Sequence, residues 1–176
     1  MTFLPSIFFS VSGTEGKQAS LPKTILDIWG GLVTKNMIYL KDSRKQMNGT
    51  EDSVKVFQDI LALEDRIERE KEHFYVMMLD IRSRIKMVEV VFVGTLTSSL
   101  VHPRETFRRA IVEGAASIII AHNHPSGEAE PSDEDTKITK QMFEAGQLLG
   151  ITMLDHIVFT NTGYFSFREN REGVLK

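Results

Sequence analysis

The sequence predicts an α/β fold, a mixed β-sheet with helices packed against it. Apolar residues recur at helical spacing over 51–70, 103–114 and 132–149, and short β-branched runs lie between these stretches. Helical and strand-like segments therefore interleave, the pattern of a sheet covered by helices. The clearest strand is Ser117-Ile118-Ile119-Ile120-Ala121, whose unbroken apolar character marks a buried position in the sheet.

The elements follow in chain order. Met1 to about Thr50 resists classification and is set aside as an N-terminal extension (1–50), with a short helix and strand expected within Ile25–Leu40 around Gly30-Gly31. Residues 51–176 form the expected domain. Val54, Phe57, Ile60, Leu61 and Ile67 share one face of an amphipathic helix over Glu51–Glu70. Phe74–Leu79 and Ile85–Val93 read as strands joined by polar Asp80–Arg84, and Pro103 suits the first turn of a helix that runs to Gly114. After the Ile118 strand, Pro125, Gly127 and Pro131 mark a loop. A helix starts near Ser132, its N-cap, with Ile138, Met142, Ala145, Leu148 and Leu149 as its apolar stripe. Ile151–Thr160 and Tyr164–Phe167 read as a final hairpin across Asn161-Thr162-Gly163.

Composition narrows the function. A chain of 176 residues, 41% of them hydrophobic, suits one core, and no apolar run is long enough to span a bilayer. Met1–Ser12 lacks a basic stretch and is interrupted by Pro5, so it reads as a poor secretory signal and the expected location is the cytoplasm. The absence of cysteine excludes disulfides, thiolate nucleophiles and the Cys-ligated zinc of nucleobase deaminases. A net charge of −3 gives no global pull toward nucleic acid. Arg104, Arg108 and Arg109 share one helix, and read as a solvated face before a phosphate-binding one.

The chemistry concentrates at His122-Asn123-His124-Pro125, followed by Ser132 and Asp135, in the pattern His-x-His-Pro-x6-Ser-x-x-Asp. Two imidazoles and one carboxylate are the three protein ligands of a catalytic zinc site, which leaves a fourth position for water. The strand delivers His122 to its carboxyl end, where α/β sheets place their sites. Ser132 and Asp135 also read as a capping box, and the two readings are compatible. His156, in the apolar run Thr152–Phe159, reads as a packed histidine or as one that orients a ligand from behind, and with His73 and His102 it stays outside the ligand set.

Three segments carry a resemblance. Val101-His102-Pro103-Arg104-Glu105-Thr106-Phe107, Ile119 to Gly127 and Leu154-Asp155-His156-Ile157 resemble the RadC-like branch of the JAB/MPN+ metalloproteases, whose signature is the JAMM motif. The likeness covers roughly Asp52 to Glu169 and implies a cytidine-deaminase-like (JAB/MPN) α/β fold. It implies one zinc ion per chain held by His122, His124 and Asp135, with Ser132 positioning water or an oxyanion. It also implies a glutamate acting as general acid/base, best matched by Glu72 in Lys71-Glu72-His73-Phe74-Tyr75-Val76. On its own residues, Glu72 belongs to a charged stretch that reads as a solvated helix end. Glu89, alternating with Val88 and Val90, is a second candidate and is expected to face solvent. Long members of the branch carry a DNA-associated helix-hairpin-helix region, which Lys23–Asn36 does not reproduce. Asn123 stands where deubiquitinating members have Ser or Thr, so ubiquitin specificity does not transfer.

The resulting expectation is a zinc-dependent hydrolase cutting a peptide or isopeptide amide in a peptide or protein substrate. The alternatives are a metal-dependent nuclease or other DNA-associated factor, and a non-catalytic interaction module.

Overall fold

The structure, a computed structural model, describes the backbone of residues 31–34 and 37–40 and the full residues of 46–95 and 101–170. The elements in order are β1 (Gly31–Thr34), β2 (Met37–Leu40), α1 (Thr50–Leu61), α2 (Arg66–Arg69), β3 (His73–Leu79), β4 (Ile85–Val93), α3 (Pro103–Val112), β5 (Ser117–Asn123), α4 (Asp133–Leu149), β6 (Thr152–Phe159) and β7 (Tyr164–Ser166). Among the described residues the strands form one sheet in the order β1-β2-β4-β3-β5-β6-β7. Among these described strands only β5 and β6 run parallel, and α4 is the crossover that parallel strands require. The sheet is therefore mixed, with helices on both faces.

Burial follows from that layering. Every residue of β3 is buried, because one face looks to α1 and the other to α3 and α4. Tyr75, Met77 and Leu79 pack with Val54, Phe57, Ile60 and Leu61 of α1. Phe74, Val76 and Met78 pack with Phe107 of α3 and with Ile138 and Met142 of α4. On the α1 face Phe57 lies 5.7 Å from the Tyr75 ring and stacks at 6.0 Å on Phe159. Full burial of one such ring contributes roughly 3 kcal/mol.

Several elements differ from the sequence reading. The helix expected over Glu51–Glu70 is broken: α1 ends at Leu61, and Asp65 caps the separate turn α2 by accepting the Glu68 amide at 2.9 Å. The Leu63 and Glu64 amides close onto carbonyls three residues back, and Ile67, assigned by spacing to the apolar face, is 70% exposed. On α4 the apolar stripe stops early, since Leu148 is 90% and Leu149 46% exposed. Gly150 ends this helix with φ +67°, a conformation glycine adopts without strain. Strand β5 carries His122 near its end, as read, and runs one residue further to Asn123.

Residues 31–34 and 37–40 are antiparallel strands, and β2 extends the sheet from β4. The expectations for Met1–Ser12 and for Lys23–Gly30 lie outside the described residues. No helix among the described residues is long and apolar enough to cross a membrane.

Candidate metal centre

The C-terminal end of β5 faces the N-terminus of α4, and this juxtaposition assembles the site. His122 lies between Phe74 of β3 and Val158 of β6 in the register, and its side chain is 1% exposed. His124 follows the strand; its backbone amide bonds the Phe159 carbonyl at 2.9 Å, which ties the loop to β6. Asp135 stands in the first turn of α4, where Ser132 is the N-cap. One donor atom from each of these three side chains lies within 4.8 Å of the others, so the structure brings together the three residues expected as ligands.

The distances suit a metal ion. His122 Nε2 lies 3.1 Å from His124 Nε2 and 3.1 Å from Asp135 Oδ1, and His124 Nε2 lies 3.7 Å from Asp135 Oδ2. Tetrahedral ligands about 2.0–2.1 Å from zinc stand about 3.3 Å apart, the middle of this range. His124 Nδ1 lies 2.8 Å from the Glu128 carbonyl, an acceptor only, so the ring proton sits on Nδ1 and Nε2 presents a lone pair. His122 Nδ1 is taken up by His156 at 3.0 Å, so its Nε2 is likewise the atom turned to the cluster. Imidazole nitrogens and a carboxylate oxygen converge on one point, a set of acceptors that a cation satisfies.

Ser132 and Asp135 form the capping box read from the sequence. The Asp135 amide donates to Ser132 Oγ at 3.2 Å, and Asp135 Oδ2 accepts the Ser132 amide at 2.7 Å and hydroxyl at 2.6 Å. Saturating Oδ2 in this way leaves Oδ1 directed at His122. Burial acts to raise the Asp135 carboxyl, but the adjacent His122 ring and the hydrogen bonds from Ser132 outweigh it and hold it well below the usual carboxylate range. Behind His122, burial and the neighbouring His122 ring keep His156 neutral.

Glu72 immediately precedes β3 and is partly buried. Its neighbour His73, the first residue of β3, turns to the α1 face and stacks on Tyr75. Two strands hold this position. The Glu72 carbonyl accepts the Gly94 amide at 2.9 Å, while Asn123 Oδ1 accepts the His73 amide at 2.7 Å and Asn123 Nδ2 donates to the Lys71 carbonyl at 2.9 Å. The carboxamide between the two histidines thus clamps both peptide groups that flank Glu72.

Glu89 does not face solvent as expected. It is 9% exposed and opposite Val76 on the α3 face, where burial raises its carboxyl against the influence of Arg109 and Arg108. With β3 between β4 and β5, it stands apart from the histidine cluster. His102 caps α3 by accepting the Arg104 amide at 3.2 Å, and His73 Nδ1 meets the Lys71 carbonyl at 3.0 Å. Arg104 and Arg108 pair with Glu105, and Arg109 with Glu113. Beside His124 opens a cleft of about 380 Å³ lined by Arg66, Arg69, Asn123, Thr160 and Asn161. Sequence reasoning did not single out Thr139 or assign Asn123 a structural task; the one available signal was a polar residue locked between two histidines.

Fold and cluster together define an α/β domain with a His-His-Asp cluster that could hold a metal ion where its parallel strand pair meets the crossover helix. The chain belongs to the RadC-like JAB domain family, whose model matches residues 47–173. It is 37% identical over 140 residues to a UPF0758 protein of Chlorobium phaeovibrioides, an alignment covering 80% of this chain and 60% of that protein. A UPF0758 protein of Chlorobaculum parvum is 41% identical over 132 residues, 75% of this chain and 57% of the relative. One from Chlorobaculum tepidum is 48% identical over 100 residues, 57% of this chain and 45% of the relative. The match spans about half the length of these curated relatives, and their names state no activity.

Proposed function

We propose that this chain is a zinc-dependent hydrolase of the JAMM type that cleaves a peptide or isopeptide amide. The observation that carries the reading is the convergence of His122 Nε2, His124 Nε2 and Asp135 Oδ1 at zinc-like separations beside an open cleft. Bound there, a zinc ion supplies a Lewis acid that polarises a carbonyl and acidifies water. The ionised Asp135 gives the site a negative charge that favours a dication. Glu72, held at the entry to β3, takes the proton of the attacking water and delivers it to the leaving nitrogen. Ser132 supplies a donor to the developing oxyanion when its hydroxyl turns from Asp135 Oδ2. The cleft beside His124 seats the chain of the substrate, which is a peptide or protein.

The test is a screen of peptide and isopeptide substrates with zinc-loaded wild type and with Glu72→Gln. The wild type turns over an amide, and Glu72→Gln keeps its zinc while losing roughly a hundredfold or more in rate. Zinc-dependent cutting of DNA with no amide turnover would overturn the assignment in favour of a nuclease.

A further inference from the structure

Behind the metal-facing edge of His122 lies a chain of buried hydrogen bonds whose direction is fixed. Thr139 Oγ1 lies 2.6 Å from the Asp135 carbonyl and 2.5 Å from His156 Nδ1, and His156 Nε2 lies 3.0 Å from His122 Nδ1. A carbonyl oxygen carries no hydrogen, so the contact between Thr139 and Asp135 uses the single hydroxyl proton of the threonine. The same oxygen then has only a lone pair for His156, so His156 Nδ1 carries the proton and donates. A neutral imidazole has one N–H, and His156 Nε2 is therefore an acceptor. Only His122 Nδ1–H can fill it. Thr139 and His156 are both 0% exposed, so no solvent molecule substitutes along the path.

We propose that Thr139 and His156 act as positioning residues that set the tautomer of His122, keeping its proton on Nδ1 and its Nε2 lone pair directed at the metal position. The inference deepens the proposed function and rests on the reading of His122 as a metal-facing residue. It explains a difference between the two histidines. His124 is set by a backbone carbonyl, which can only accept. His122 meets another imidazole, which can accept or donate, and so needs a further group to decide which. Thr139 makes that decision, and its hydroxyl proton ends on the backbone of Asp135, the third member of the same cluster. Orienting partners of this kind change metal affinity by roughly 10–100-fold when removed.

Thr139→Val keeps the shape of the side chain and removes the hydroxyl. His156 Nδ1–H then loses its acceptor, and the chain is free to reverse: His156 turns its proton to Nε2 and His122 carries its own on Nε2, facing the cluster. Thr139→Ser restores the direction. The measurement is the ring 15N chemical shifts of His122 in the metal-free wild type and both variants, together with their affinity for zinc alone by competition with a chromogenic chelator. Wild type and Thr139→Ser show His122 protonated on Nδ1. Thr139→Val moves protonation to Nε2 and weakens zinc binding roughly tenfold or more. A Thr139→Val protein with His122 still protonated on Nδ1 and zinc affinity within about twofold of wild type overturns the proposal while leaving the metal reading intact. A wild type that binds no zinc, yet shows the Nδ1 tautomer lost in Thr139→Val, supports the chain and removes the metal reading instead.

Discussion

Asp155 and His156 are neighbours on β6, and each organises a buried polar cluster on an opposite face of the sheet. On the α1 face Asp155 accepts the Ser166 hydroxyl at 2.7 Å, the Thr50 hydroxyl at 3.4 Å and the Arg168 amide at 3.1 Å, and Arg168 also reaches Thr50 at 3.2 Å. This cluster is closed: donors and acceptors match, and the result joins α1, β6 and the turn after β7. On the α4 face the chain from Thr139 through His156 to His122 ends on acceptors that face one another. That cluster is open, and its open end is where a cation fits. Two buried polar groups one residue apart thus differ in whether their network is complete, which separates a structural site from a chemical one more clearly than burial does.

The largest test of this contrast is Asp155→Ala. It leaves the Thr50 and Ser166 hydroxyls and the Arg168 amide without their buried acceptor and should destabilise the protein by about 3 kcal/mol in urea unfolding. The zinc affinity of the folded fraction should stay at the wild-type value. A loss of zinc binding in step with the loss of stability would merge the two clusters into one unit.

Asn123→Ala examines the open side. Removing the clamp on Lys71 and His73 leaves the ligand imidazoles in place but frees Glu72, and a displacement near 1 Å at the reacting centre costs about a hundredfold in rate. Zinc content should be unchanged while kcat falls. Equal losses of zinc and activity would show instead that Asn123 supports only the histidines.

A smaller effect is expected at Tyr75, whose buried hydroxyl has no hydrogen-bond partner among the described residues. Tyr75→Phe removes an unsatisfied polar atom and should stabilise the protein by about 1 kcal/mol, read as a higher urea midpoint at unchanged slope. A destabilised variant would reveal a partner for that hydroxyl and a polar site on the α1 face beyond Asp155.

The smallest effect separates two aspartates by pH. The backbone and side chain of Arg84 pull the carboxyl of Asp80 down from 3.8 to about 2, whereas burial raises that of Asp155. The stabilisation from Asp80 is present above its ordinary pKa and is lost as pH falls toward about 2. For Asp155 the sign is opposite: the fold holds its proton more firmly than the unfolded chain, so its contribution declines as pH rises above 3.8. Because the Asp80–Arg84 pair is partly exposed and screened by solvent, the difference in stability between wild type and Asp80→Asn should be only some tenths of a kcal/mol near neutrality and vanish toward pH 2. Persistence of that difference at low pH would contradict the assignment.

Much of the site was legible because its residues are local in sequence. His122 and His124 come from one strand end and Asp135 from the next helix, and Ser132 with Asp135 spelled the cap that starts α4. Apolar runs marked β3, β4 and β5 because helices cover both faces of the central sheet. The sequence left His156 between a packed histidine and one that orients a ligand, because the choice depends on a bulge. Ile118 pairs with Met153 and Ile119 with Asp155, so Leu154 is an extra residue that inverts the alternation and turns His156, in place of Asp155, toward α4. The break between α1 and α2 was hidden for a related reason: Ile67 continued the apolar spacing, but the Asp65 cap started a new turn. Glu89 looked solvent-facing because alternation alone does not reveal that α3 covers that face of β4.

The central claim is that the open cluster on the α4 face is a metal centre. Elemental analysis of purified wild type and Asp135→Asn, after zinc loading and removal of free metal, tests it most directly. The account predicts about one zinc per chain in the wild type and near none in the variant, with unfolding of the metal-free proteins little changed. A wild type that retains no zinc, or an Asp135→Asn protein that retains as much, would contradict it.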